Sequence, residues 1–222
     1  TRLVLVDKSL STKYTERGSQ LWKAIAARIS AALIAMPANK TALIAFPSYS
    51  IMNEVMSYGI DHGFRGVLVE TRGERLERVA EAIESEPHAV FCVYSGKFTE
   101  GIDLVQSGSS MIDLIIGVGI PFSPPTTYQK ALQEWYDGRF GKGSGYYYAA
   151  LVPSIRRVAQ LLGRLRRSPE DWGVVVLLDR RFLRHLDAFG NDIISDIYPY
   201  RDQSELSSAI KEFVRMREAI NW

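Results

Sequence analysis

The chain has 222 residues, of which 46% are hydrophobic and 23% charged, and its net charge is only +2. This length can bury a substantial core, while the charge excludes a protein that is basic throughout. The single cysteine, Cys92, excludes a disulfide framework or a cysteine-ligated metal site within the chain, and its apolar neighbours predict a buried thiol in a cytoplasmic protein. No stretch reads as a signal peptide or a membrane span.

Short apolar runs alternate with helical periodicities along the chain. The runs predict strands at 1–6, 41–46, 66–70, 89–94, 111–118 and 173–178. The periodicities predict helices at 20–36, 48–57, 74–83, 126–136, 146–167 and 204–222, with a loop at 138–145. This alternation indicates an α/β fold with one doubly wound, mainly parallel sheet that is covered on both faces. Because the chain starts with Thr1 and not methionine, we expect a fragment of a longer protein.

Polar residues collect where three of the predicted strands end. Segment 47–50 supplies hydroxyls and a tyrosine ahead of a helix, segment 95–103 supplies glycines, hydroxyls, a lysine and two carboxylates, and segment 179–182 is basic and aromatic. Functional loops of such sheets lie at the carboxyl ends of the strands, where they can bind phosphate. An ordinary helix cap and a plain surface loop have the same composition and remain alternatives.

A second polar cluster lies on the predicted helix 146–167. Gln160, Arg164 and Arg167 stand at positions i, i+4 and i+7, which places them on one helix face, and Gly163 leaves room for a ligand to approach. Guanidinium groups bind oxyanions through paired hydrogen bonds. Segment 154–184 carries eight arginines against three acidic residues, a net charge of +5. The alternative is a solvated helix face near a helix end.

Two common nucleotide-binding motifs are absent. A P-loop requires Gly-x-x-x-x-Gly-Lys-Ser/Thr after a strand, and Gly141-Lys142-Gly143-Ser144 has the wrong arrangement and no preceding strand. The dinucleotide fingerprint is also missing, as is an Asp-Glu pair at a strand end that could hold magnesium. If the domain serves nucleotide hydrolysis, it therefore supplies only the second half of the site.

Taken together, these segments resemble a known family. Segment 95–103 (SGKFTEGID), the pattern Gln160-x-x-Gly163-Arg164-x-x-Arg167 and the DRRF stretch at 179–182 look like motifs V and VI of superfamily 2 helicases, in the form found in the XPD iron–sulfur branch. Segment 43–49 is similar to motif IV of that branch, and segment 11–17 resembles its entry into the second motor domain. The resemblance implies that residues 1–222 form the second RecA-like motor domain, a three-layer α/β/α fold, with a C-terminal helix at 204–222.

The resemblance also implies roles for individual residues. The nucleotide side comprises two candidate arginine fingers, a glutamine that positions water or phosphate, and two residues that face ATP: Arg164, Arg167, Gln160, Gly101 and Asp103. The single-stranded DNA side comprises Ser48, Tyr49, Ser95, Lys97 and Arg181. No metal ligand is expected in this chain.

For the parent protein, the resemblance implies an ATP-dependent DNA helicase that moves 5′ to 3′ and acts in nucleotide excision repair. ATP and Mg²⁺ would be bound mainly by the first motor domain, and a 4Fe–4S cluster would lie in another part of the parent. Single-stranded DNA, the first motor domain, and repair or transcription factors are the implied partners, with nucleoid association and no membrane contact. The isolated chain is expected to be inactive.

Two other functions remain open at this stage. The chain could be a non-catalytic module that binds nucleic acid or a partner, in which case the arginines only grip phosphates. It could also be a complete α/β enzyme acting on a small phosphorylated substrate. That enzyme would need its own base, and His62, His88 and His185 are scattered along the chain.

Overall fold

A computed structural model describes residues 1–71, 73, 76–100, 104–168, 170–189 and 197–220. Seven strands form one sheet: β1 (Arg2–Asp7), β2 (Ala42–Phe46), β3 (Gly66–Val69), β4 (His88–Val93), β7 (Leu114–Val118), β8 (Gly173–Leu178) and β9 (Ile197–Tyr200). Their order in the sheet is β3-β4-β2-β7-β8-β1-β9, and every neighbouring pair is parallel. The predicted parallel α/β architecture is therefore confirmed.

Helices cover both faces of the sheet and complete three layers. The α-helices in the described residues are α1 (Ser19–Ala35), α2 (Tyr49–Met56), α3 (Leu76–Ser85), α4 (Lys97–Glu100), α5 (Thr127–Phe140), α6 (Ser144–Tyr146), α7 (Val152–Leu162) and α8 (Gln203–Ile220). One face of the sheet packs against α1, α2 and the C-terminal helix α8, and the other packs against α3, α4 and α7. Central strands β2, β4, β7 and β8 are buried along their whole length, which explains their continuous apolar runs.

The structure adds strands that the sequence did not predict, so the expectation that 173–178 is the last strand was wrong. β9 pairs with β1 at the edge of the sheet and contains Pro199. A proline argues against a central strand, although it is tolerated at an edge, where one side of the strand needs no partner. Two short strands, β5 (Val105–Gln106) and β6 (Ser109–Ser110), also form a small antiparallel hairpin.

The predicted loop at 138–145 is largely helical. α5 continues to Phe140, and α6 leads through a π-helical turn at Tyr147–Leu151 into α7. The main-chain N–H groups of Gly143 and Gly145 both donate to Asp137 Oδ1, at 2.9 and 2.8 Å. A Cβ atom at Gly145 would lie 2.2 Å from the carbonyl oxygen of Gln133, so the glycine lets α5 and α6 approach closely. Gly143 and Gly145 therefore serve a tight helical hairpin in the segment that was predicted as a loop.

Helix α8 packs on this domain. Leu206, Ile210, Phe213 and Val214 are buried, as their spacing predicts, and they share one core with α1. The sequence left open whether this helix packs here or on a partner. The fold decides the matter because β9 brings the chain back beside β1, from where α8 runs against α1.

Candidate functional site

The arginine cluster lines an open cavity of about 500 Å³. Its walls are formed by Gln160, Gly163, Arg164 and Arg167, together with Thr99 from α4. Among the described residues, and apart from those of its own turn, no atom lies within 4 Å of the position that a Gly163 Cβ would occupy, so the glycine does open this surface. The three predicted polar side chains are thus brought together, and they offer amide and guanidinium donors suited to an anion such as phosphate.

The arginines do not all lie on one helix, however. α7 ends at Leu162, Gly163–Leu165 forms a 3₁₀ turn, and Arg166 is extended with φ −135° and ψ 118°. The prediction of a helix through Arg167 was therefore wrong. The chain leaves the helix there because buried Leu165 packs into the core and the next residues must turn back to enter β8.

Asp171 fixes the main chain at Arg167. Its Oδ2 accepts from the N–H groups of Arg167 at 2.6 Å, Ser168 at 2.7 Å and Ser110 at 3.3 Å. Partial burial opposes ionisation, but the hydrogen bonds from the Ser168, Arg167 and Ser110 amides outweigh it and lower the pKa of Asp171 to about 2. The carboxylate is therefore the anchor that sets where Arg167 leaves the turn.

Replacing Asp171 with asparagine should cost about 1 kcal/mol of stability at pH 7, since solvent screening reduces what the pKa shift alone would suggest. The folded pKa of about 2 lies below the unfolded value of about 3.9. This contribution is therefore complete above about pH 5 and is lost as the pH falls through 2. Urea unfolding of both proteins at pH 7 and near pH 2.5 checks this: only a minor part of the stability difference should remain at the lower pH, and an undiminished difference contradicts the assignment.

The loop after β4 contains the next group of predicted residues. Ser95 and Lys97 are exposed immediately beyond the strand, and Thr99 behind them is buried. The Thr99 hydroxyl accepts from Gly96 N–H at 3.1 Å and lies within donating distance of the Val93 and Tyr94 carbonyl oxygens. The loop thus joins the exposed Lys97 to the arginine cavity. Gly101 and Asp103 lie outside the described residues, so their ATP contacts stay predictions.

The loop after β2 holds Ser48 and Tyr49. Ser48 caps α2, since its Oγ accepts from Ile51 N–H at 3.3 Å, so Ser48 has the ordinary capping role that the sequence left open as an alternative. Tyr49 is half-buried and packs against the core. Both residues lie at the carboxyl edge of the sheet, next to the β4 loop, because β2 and β4 are parallel neighbours.

The loop after β8 is organised by a fully buried carboxylate, Asp179. Its Oδ2 accepts from Thr12 N–H and Thr12 Oγ1, both at 2.8 Å, and from Arg181 Nη2 at 2.7 Å. Burial opposes ionisation, yet the Arg181 hydrogen bonds and charge prevail and lower the pKa of Asp179. Arg181 is therefore engaged within the chain, and its side chain is 20% exposed. Its DNA contact stays a prediction.

Sequence reasoning missed an exposed aromatic surface on the helical hairpin. α5 has no buried residue. We use "aromatic hairpin" for residues 127–148, whose ring contacts join Trp135, Tyr136, Phe140, Tyr147 and Tyr148. A further ring pair, Phe122–Tyr146 at 6.0 Å, connects this surface to Arg181, whose guanidinium lies 5.8 Å from the Phe122 ring. The density of aromatics between 135 and 148 was the available signal.

Within the described ranges, no three His, Cys, Asp or Glu side chains are grouped so that they could hold a metal ion. The arginine cavity itself presents cationic and amide groups, which fit a phosphate and not a cation. Cys92 is buried, as predicted, and burial raises the pKa of its thiol, with a further contribution from the charge of Glu70. Among the described helices, none has the length and apolarity to cross a bilayer.

The fold and these motifs place the chain among known proteins. The helicase C-terminal domain family matches residues 32–197, and the chain belongs to that family. The ATP-dependent DNA helicase XPD of Sulfolobus acidocaldarius is 30% identical over 178 residues, which cover 80% of this chain and 31% of that protein. Helicase subunit XPD/RAD3 of the general transcription and DNA repair factor IIH of Saccharomyces cerevisiae is 31% identical over 157 residues, covering 64% of this chain and 19% of that protein.

Solved structures agree with the sequence relatives. An apo structure of XPD superposes with a TM-score of 0.76 at 27% identity, covering 90% of this chain and 40% of that one. A second XPD helicase structure gives a TM-score of 0.73 at the same identity. The chain is therefore a C-terminal motor domain of the XPD type, with the RecA-like fold that the motifs implied. It spans less than a third of the length of the two relatives described above.

Proposed function

We propose that this chain is the second motor domain of an ATP-dependent DNA helicase that moves 5′ to 3′ along single-stranded DNA and acts in nucleotide excision repair. The observation that carries the proposal is the cavity in which Gln160, Arg164 and Arg167 converge. Three donors on an open surface, without a P-loop in the same chain, are what a domain needs if it completes a nucleotide site begun on another domain.

In this proposal the first motor domain binds ATP and Mg²⁺, and closure of the two domains brings Arg164 and Arg167 to the γ-phosphate. The guanidinium groups stabilise the charge that develops during phosphoryl transfer, while Gln160 orients water or phosphate. Gly101 and Asp103 complete the nucleotide side. After hydrolysis the arginines lose the γ-phosphate that they bound, and the two domains separate. Repeated closure and separation then move the contacts of the domains along the DNA.

The carboxyl edge of the sheet is the proposed DNA side. Ser48, Tyr49, Ser95, Lys97 and Arg181 all follow strands that end at this edge. The aromatic hairpin is connected to this edge through Phe122 and Arg181, and its residues 127–148 include three basic and two acidic side chains, a net charge of +1. Exposed rings beside basic side chains can stack bases while the cations bind phosphates. Repair or transcription factors are the proposed further partners of the parent protein.

A titration of the isolated chain tests this proposal. We expect fluorescently labelled single-stranded DNA to bind weakly, with an affinity that falls between low and moderate salt and does not change when ATP is added. Tight ATP binding or turnover by the chain alone would mean that the nucleotide site is complete, which contradicts the proposal. A non-catalytic binding module would bind DNA equally well. The DNA-stimulated ATPase rates of the Arg164→Ala and Arg167→Ala variants separate such a module from a motor domain.

Trp135 should contribute to DNA binding through stacking. Trp135 is 59% exposed and contacts the rings of Tyr136 and Phe140 in the aromatic hairpin. Trp135→Ala is expected to weaken binding of single-stranded DNA by about 1–3 kcal/mol, the range for one stacked base, and Trp135→Phe should keep most of the affinity. Ile34→Ala, at an exposed apolar residue on α1, is the matched control. If the Trp135→Ala and Ile34→Ala proteins bind single-stranded DNA with equal affinity, the hairpin does not contribute to DNA binding.

A further inference from the structure

Glu70 belongs to neither of the two proposed binding sides, although it contacts the loop between β4 and α4 that carries Lys97 and Thr99. It follows β3 directly and is 1% exposed. One carboxylate oxygen, Oε2, accepts from Val93 N–H at 3.0 Å, and the other, Oε1, accepts from Lys97 N–H at 2.6 Å. A single side chain from the neighbouring strand therefore bridges the end of β4 and the start of α4.

Gly96 is matched to this carboxylate. A Cβ atom at position 96 would lie 2.2 and 2.3 Å from the two Glu70 oxygens, closer than any real contact. The loop can therefore wrap around the carboxylate only because residue 96 has no side chain. Since Glu70 and Gly96 lie on different β-α connections, the fold has to bring β3 and β4 together before the match exists.

The energetic balance suggests a positioning role. Removing a carboxylate from water is costly, and the two main-chain donors offset that cost only if their geometry is kept. An apolar side chain would avoid this cost but would leave the N–H groups of Val93 and Lys97 without their acceptor. The carboxylate also gives direction, because the two hydrogen bonds that it accepts from residues 93 and 97 define the path of the main chain between them.

The path of the main chain between residues 93 and 97 positions side chains on both sides of the loop. Thr99 holds the other end of the turn through its hydrogen bond from Gly96 N–H, and Thr99 also lines the arginine cavity. Lys97 is exposed on the side proposed for DNA. The segment held by Glu70 thus lies between the two proposed ligands.

We propose that Glu70 is a positioning residue that holds the Gly96–Thr99 segment so that Lys97 faces single-stranded DNA while Thr99 borders the nucleotide cavity. This inference rests on the proposed function. Glu70 acts through the main chain of its neighbours and touches neither ligand. It therefore sets the geometry in which Lys97 contributes to binding, and its effect on DNA affinity should pass through Lys97.

A double-mutant cycle on the isolated chain tests the proposal. Lys97→Ala is expected to weaken binding of labelled single-stranded DNA roughly fivefold to tenfold and to lower the salt slope by about 0.7, as for one lost phosphate contact. In the Glu70→Ala background, the same Lys97 substitution should have almost no further effect. Hydrogen exchange at the Val93 and Lys97 amides should become faster in Glu70→Ala.

Val79→Ala is the control for general destabilisation, since Val79 is buried in α3 on the same face of the sheet. Lys97→Ala should keep its full effect in that background. If Glu70→Ala does not fold, Glu70→Gln replaces it in the cycle, because the amide retains one acceptor oxygen and the shape of the side chain. In the Glu70→Gln background, Lys97→Ala should lose part of its effect on DNA affinity. If the effects of Glu70→Ala and Lys97→Ala on the free energy of DNA binding simply add, the positioning role is wrong. Absence of DNA binding by the unaltered chain would instead refute the proposed function itself.

Discussion

Replacing Arg167 with alanine is expected to lower DNA-stimulated ATP hydrolysis by roughly 10³–10⁵-fold in a protein that joins this chain to its first motor domain. Arg167 lines the cavity, and its main chain is held by Asp171, which gives the guanidinium a defined starting point. An arginine finger acts mainly on the transition state, so the loss should appear in kcat more than in KM. DNA affinity in the absence of nucleotide should stay close to that of the unaltered protein.

Arg166→Ala provides the matched control. Arg166 is the adjacent residue, has the same charge and is exposed, but it does not line the cavity. We expect its ATPase rate to fall by less than about tenfold, the scale of a general electrostatic effect. If Arg166→Ala and Arg167→Ala lose the same activity, the cluster acts only through net charge and the arginine-finger role is wrong. Arg164→Ala should resemble Arg167→Ala.

Replacing Arg65 with methionine should produce the largest loss of stability, about 3–5 kcal/mol. Arg65 is only 4% exposed, and its guanidinium satisfies main-chain carbonyl groups where α1 ends and the chain turns towards β2. The acceptors are the oxygens of Leu33 at 2.9 Å, Met36 at 3.1 Å, Pro37 at 2.6 Å, Lys40 at 2.6 Å and His62 at 3.3 Å. Methionine fills similar space but removes these hydrogen bonds, of which those to the Leu33 and Met36 carbonyl oxygens are buried.

Thermal and urea unfolding of the isolated chain measure this effect. For a domain of this size, the expected loss corresponds to a decrease in Tm of roughly 6–20 °C. Burial lowers the pKa of Arg65, and the charge of Asp113 opposes that shift. Arg65→Lys should recover only part of the stability, because an ammonium group cannot reach several carbonyls in the planar geometry of a guanidinium. Arg215→Met, at an exposed position on α8, is the control and should change little. A small effect of Arg65→Met would show that water replaces the guanidinium there.

Local patterns predicted the fold well because its elements are encoded locally. The strand cores and helix α1 follow directly from apolar runs and helical spacing, and the sheet is parallel as the alternation indicates. Errors arose where tertiary contacts override local signals. Pro199 argued against an edge strand that does form, and segment 138–145 was predicted as a loop where Asp137 instead organises a helical hairpin.

For the candidate site too, the sequence predicted some residues and missed others. Gln160, Arg164 and Arg167 were recognised by their spacing, and they do share a cavity even though the helix ends before Arg164. Local sequence has no signal for the partners that hold them. Asp171 binds main-chain groups of Arg167 and also of Ser110, which is 61 residues away. The DNA contacts of Ser48, Tyr49, Ser95, Lys97 and Arg181 remain predictions.

The sequence by itself determined most of the elements, the arginine cluster and the family, because each depends on the types and spacing of residues within a short segment. Only the tertiary structure decided which charged groups are buried and what they bind. Glu70 and Arg65 look like ordinary surface residues in the sequence, yet both are buried where separate connections meet. A buried charge requires several partners at once, and folding alone brings partners from distant segments within hydrogen-bond distance.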